Sequence, residues 1–156
     1  MQLKPTIKKL RNIFPEIRIR QLSNEFNCTY ALFLLPQCGT EFKLIFEHDF
    51  LALHFGKLKS FYGSSRSDFD FMISEISGLI QCKTCVMSVY SDGKYLGCML
   101  AYDDEITQIF LAKELQKFHF EVYNSSVLKT GYIELNYCDS NFDKTIPFSK
   151  NIIFSE

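Results

Sequence analysis

The sequence predicts an α+β fold in which an antiparallel β-sheet, a meander plus a central hairpin, packs against two or three α-helices. Three observations point there. Apolar and polar residues alternate in short runs between brief breaks, Asp92-Gly93 joins two such runs, and the segments opening near Ser67 and Asp103 repeat apolar residues at helical spacing. At 156 residues, 47% hydrophobic and 22% charged, the chain has the size of a single domain, residues 1–156. Sixteen Phe and eight Tyr supply enough apolar surface to offset the entropy of ordering it.

In chain order, Ile7, Leu10, Ile13 and Phe14 recur at helical spacing after Pro5, and Pro15 closes this short amphipathic helix. Ile17 and Ile19 alternate with Arg18 and Arg20 as in a strand with one wet face. Tyr30 to Leu35, Glu41 to Glu47 and Leu51 to Phe55 read as three strands of a meander. Gly56 to Arg66 reads as an exposed loop, rich in Gly and Ser near its end. Ser67 with Asp70 resembles a capping box and opens a helix through Phe69, Ile73, Ile76 and Ile80.

The hairpin follows, Cys85 to Ser91 and Lys94 to Tyr102, its Asp92-Gly93 supplying the positive φ angles of a type I′ turn. By parity, Tyr95 shares a face with Gly97, Met99 and Ala101, and apolar residues on both faces give the hairpin a central place in the sheet. Asp103, Asp104 and Glu105 stand at the positive end of a helix through Ile106, Ile109, Phe110, Leu115 and Phe118. Phe118 to Tyr123 and Thr130 to Cys138 read as later strands around Asn124-Ser125-Ser126, and Ile152 to Phe154 as an added edge strand.

A net charge of −1 provides no global positive field, which disfavours general nucleic-acid binding. The basic residues Lys4, Lys8, Lys9, Arg11, Arg18 and Arg20 read as a solvated helix face. No apolar run reaches the roughly 18 residues a membrane span needs, and the first 25 residues lack the continuous apolar core of a secretory signal. The chain is therefore expected in the cytoplasm, away from membranes, with its six cysteines reduced.

Few residues invite a chemical role. Cys82-Lys83-Thr84-Cys85 matches C-x-x-C, yet it lacks the second pair of a zinc ribbon and follows a helix instead of opening one, so structural thiols are expected over a metal or redox module. His48 and His54 flank a strand and His119 lies between Phe118 and Phe120. A small hydrolase or transferase built on His54 and His119 needs carboxylates brought from elsewhere in the chain. The carboxylate pairs Asp68 with Asp70 and Asp103 with Asp104 sit at helix starts, where capping accounts for them. No phosphate-cradling glycine loop, G-x-S-x-G or H-E-x-x-H occurs, and no cofactor is expected.

Leu51 to Glu105 resembles the immunity proteins of bacterial contact-dependent growth inhibition and related polymorphic toxin systems. The resemblance runs through Leu51-Ala52-Leu53-His54-Phe55, the helix start Ser67-Asp68-Phe69, and Val86 to Gly97 with its D-G-K-Y-L-G turn. It implies a non-enzymatic cytoplasmic protein that binds one cognate toxin domain, often a nuclease, and it carries over no catalytic residue. Because nuclease toxins are basic, acids are the expected partner-binding residues: Asp92, Asp103, Asp104, Glu105, Glu134, Asp139 and Asp143. Tyr62, Tyr90, Tyr95 and Tyr123 are the expected aromatic anchors.

Overall fold

The computed structural model describes residues 3–15, 18–25, 28–34, 41–46, 50–63, 65–102 and 130–149. Its contacts group the chain into two compact units, Met1–Ile80 and Gln81–Glu156. The architecture is α+β, with two antiparallel sheets and two α-helices among the described residues.

The first unit opens with α1 (Leu3–Ile13), whose Ile7 and Leu10 are buried while Lys8, Lys9 and Arg11 face outward. Strands β1 (Arg18–Glu25), β2 (Cys28–Leu34), β3 (Phe42–Phe46), β4 (Phe50–Phe55) and β5 (Leu58–Gly63) then form a five-stranded meander in chain order. Alternation decides its faces. Phe42, Leu44 and Phe46 of β3 oppose Phe55, Leu53 and Leu51 of β4, and all six are buried. The Phe42 and Phe55 rings stack at 4.5 Å. Burying each such side chain contributes about 1.5–3 kcal/mol.

Helix α2 (Arg66–Ile80) closes this unit, burying Phe69, Met72, Ile76 and Leu79 at i, i+3, i+7 and i+10. The i+4 and i+11 positions, Ile73 and Ile80, are only half-buried, so the apolar stripe is rotated from the expected one. Contacts join α2 to β5 and to α1: Tyr62 donates a hydrogen bond to Glu75, and the Lys9 ammonium lies 5.0 Å from the Phe69 ring centroid.

In the second unit, β6 (Thr84–Ser91), β7 (Lys94–Tyr102), β8 (Thr130–Asn136) and β9 (Lys144–Ser149) form an antiparallel sheet in the order β7-β6-β8-β9. One face packs a core of Cys85, Met87, Val89, Met99, Ala101, Ile133, Leu135, Tyr137 and Phe148. A single 3₁₀ turn, Ser140–Phe142, joins β8 to β9, capped by the Asp139 carboxylate accepting from Asn141 N–H at 3.0 Å.

Several expectations are corrected. The meander and the hairpin belong to different sheets, and only β6 of the hairpin is bonded on both sides, β7 being an edge among the described strands. The expected loop from Gly56 is mostly strand β5: Gly56, at φ 56°, and Lys57 make a tight turn, after which Leu58 and Tyr62 point inward. The α2 cap stands two residues earlier than expected. Ser65 Oγ accepts from Asp68 N–H and the Asp68 carboxylate accepts from Ser65 N–H, both at 3.1 Å, which is the reciprocal capping box. Strand β9 was not expected; Pro147 is tolerated there because β9 is an edge among the described strands. Cys138 is disulfide-bonded, against the expectation of six reduced thiols, whereas Cys82, Cys85 and Cys98 are free. The expected helix from Asp103, the Phe118 to Tyr123 strand, the Asn124-Ser125-Ser126 turn and the Ile152 to Phe154 strand lie outside the described residues.

Two stability measurements check these assignments. Ser65→Ala is expected to cost about 1 kcal/mol in urea unfolding, and Ser67→Ala well under half of that. A Cβ at Gly131 would overlap the Tyr90 carbonyl oxygen, which is backbone and has nowhere to go. Gly131→Ala is therefore expected to cost about 3 kcal/mol in the same assay.

Candidate functional site

The face of the second sheet that turns away from its core carries an ordered aromatic row. Alternation along β6 sends Cys85, Met87 and Val89 to the core and leaves Thr84, Val86, Ser88 and Tyr90 on the other face. Tyr90 stands opposite Tyr132 on β8 and Tyr95 on β7. The Tyr90 and Tyr132 rings stack at 4.6 Å and 12°, and Tyr95 tilts against Tyr90 at 5.5 Å. Tyr95 is 48% exposed.

The expected parity of β7 is wrong at Tyr95, and a bulge is the reason. Val89 opposes Gly97 while the next residue, Tyr90, opposes Tyr95, so Leu96 is an extra residue in the ladder. Leu96 turns to the core and Tyr95 leaves the side shared by Gly97, Met99 and Ala101. Without the bulge the three tyrosines would not share a row. One row further along, Ser88 stands between Cys98 and Glu134. The Ser88 and Thr84 hydroxyls are buried, and among the described residues neither has a hydrogen-bond partner.

The expected acidic residues do not form one patch. Asp92, at φ 50°, occupies the exposed hairpin tip, where its N–H meets Thr130 O at 3.4 Å. Glu134 accepts from the Tyr90 hydroxyl at 2.9 Å and is half-buried beside the aromatic row. Asp143 accepts from Tyr137 N–H at 2.8 Å, beyond the far end of β8, and Asp139 caps the turn there. The length of β8, about 3.4 Å per residue, separates these two from Asp92. Their carboxylates fasten a loop; Asp92 and Glu134 are the pair that flanks the tyrosines. Asp103, Asp104 and Glu105 lie outside the described residues. Of the expected anchors, Tyr62 is buried and bonded to Glu75, which removes it as an exposed contact, and Tyr123 is outside the described residues.

His54 lies on β4 between Lys43 of β3 and Lys59 of β5. Burial first, then Lys59 and Lys43, hold its imidazole below the ordinary histidine value. A carboxylate, which orients a catalytic base, is not what faces it across either strand. His48 and His119 are outside the described residues. Cys82, at φ 53°, sits in the turn after α2, and Cys85 is buried with its thiol 3.8 Å from Ala101 O. Among the described residues no group of three or more His, Cys, Asp and Glu gathers as a metal site requires.

Glu75 is also perturbed. Burial raises its carboxyl above the ordinary glutamate value, and the hydrogen bond from Tyr62 opposes that rise. Comparison with protein-family models, curated proteins and solved structures finds no match to this chain.

Raising a carboxyl's folded value favours the neutral form, so this contribution to stability is present below the unfolded glutamate pKa and is lost as pH rises through the folded one. Glu75→Gln keeps an acceptor for Tyr62 and removes the titration. Its stability relative to the parent is expected to be higher at neutral pH than in acid, as read by urea unfolding at both.

Proposed function

We propose that this chain is a non-enzymatic immunity protein, of the kind found in bacterial contact-dependent growth inhibition and polymorphic toxin systems, that binds and neutralises one cognate toxin domain. A nuclease is the toxin class that fits an acid-flanked surface. The observation that carries the reading is the tyrosine row Tyr95–Tyr90–Tyr132 with Asp92 and Glu134 at its margins. Rigid aromatic side chains give up little rotamer freedom on binding and are enriched among residues that dominate interface energetics. The hairpin that holds Asp92 and Tyr95 is also the strongest element of the resemblance.

On this reading the sheet that carries the row is a rigid support, and the chain acts without crossing a membrane. No helix among the described residues is long and apolar enough to cross one. The disulfide at Cys138 stands against the cytoplasmic location expected from the sequence, since such bonds persist in oxidising compartments.

Coexpression with the product of the adjacent upstream open reading frame tests the proposal. A tight complex and protection of the host are expected, with Tyr95→Ala weakening the complex by about 2 kcal/mol, roughly thirtyfold. Absence of both complex and protection overturns it.

A further inference from the structure

The free thiols of the second unit carry chemistry that toxin binding does not use. Cys82 and Cys85 are both free, Cys82 half-buried and Cys85 fully buried. Cys85 is part of the core of this unit, and Cys82 packs against that same core. Four residues in an extended run would hold their end α-carbons about 10 Å apart, beyond the roughly 7 Å that a disulfide spans. The run from Cys82 to Cys85 is not extended. Cys82, at φ 53°, lies in the turn that follows α2, and β6 begins only at Thr84. The turn folds the first thiol back toward the core that holds the second. Cys98, also free and half-buried, stands opposite Ser88 on the other face of the sheet, so β6 offers it a hydroxyl and no thiol.

We infer that Cys82 and Cys85 are a redox pair that closes to a disulfide by exchange with a low-molecular-weight disulfide such as glutathione disulfide, Cys82 attacking and Cys85 resolving. The accessible member reacts first. Its thiolate attacks one sulfur of the oxidant, an S–S bond forms to Cys82, and the other half of the oxidant leaves as a thiolate. The Cys85 thiol then gives up its contact with the Ala101 carbonyl, loses its proton, and attacks the Cys82 sulfur. This closes the internal bond and releases the second half of the oxidant. The chain loses two thiol hydrogens and the oxidant is reduced to two thiols, so atoms and electrons balance. The disulfide at Cys138 supports exposure of the chain to such oxidants. The new bond would tie the first turns of β6 to the turn before it, at the end of the strand opposite Asp92 and Gly93.

Incubation of the full chain with glutathione disulfide and glutathione at graded ratios, followed by acid quenching, alkylation and peptide mass spectrometry, tests the inference. In the parent, Cys82 and Cys85 are expected to escape alkylation together, as one internal disulfide, while Cys98 keeps its thiol or carries a glutathione that does not resolve. Cys85→Ser is expected to stop after the first step, with glutathione retained on Cys82 at least tenfold more than in the parent. Cys82 and Cys85 that remain free across the ratios overturn the inference. A glutathione on Cys82 that persists equally in the parent and in Cys85→Ser overturns it as well. The pairing in the parent chain is read without any variant having to fold.

Discussion

The register of β6 is the constraint on which the second unit depends. It is the strand bonded on one side to β7 and on the other to β8, and seven of its eight residues are buried. A one-residue slip in an antiparallel pair would send Met87 and Val89 to the face of Ser88 and Tyr90. Two features hold the register. Asp92 and Gly93, with φ 50° and 74°, match the right-handed twist of the strands they join. Gly131 admits the Tyr90 carbonyl where any other residue would place a Cβ. The aromatic row is thus a by-product of how this strand is pinned, with the bulge at Leu96 choosing which side Tyr95 occupies.

The first unit is organised differently. Its meander separates an inward face of Phe, Leu and Tyr from an outward face that mixes cations with partly exposed aromatics. On the inward side the awkward group is Glu75, a carboxyl drawn into partial burial by the helix stripe and met by Tyr62. On the outward side it is His54, held between two lysines. Both perturbations come from burial first, so each reports how deeply its element is seated.

Local signals made much of the fold legible. Helical spacing marks α1 and α2, alternation marks β3, short apolar runs between breaks mark β2 and β4, and Asp92-Gly93 marks the β6–β7 turn. What escaped was set by longer-range geometry. Strand β5 is short, its Phe61 points outward, and its Gly-Ser tail obscures the Leu58–Tyr62 alternation. Strand β9 contains a proline and gains its identity from pairing with β8. Division into two sheets is a matter of which strands meet, which periodicity does not encode. For the site, Tyr90, Tyr95, Asp92 and Glu134 were all legible as candidates, but their arrangement was not. A bulge leaves no parity signal, and the row forms only through a partner strand 38 residues beyond Asp92, at Thr130. The same sequence signal grouped Asp139 and Asp143 with them, although backbone amides occupy those carboxylates.

The Asp68 carboxylate that closes the α2 box also lies where a side chain on Gly63 would begin. The last residue of β5 and the first turn of α2 are therefore keyed to each other through one oxygen pair and one missing methyl group. A side chain at Gly63 would turn the Asp68 carboxylate out of the box that opens α2, so the end of the strand bears directly on the cap of the helix that follows.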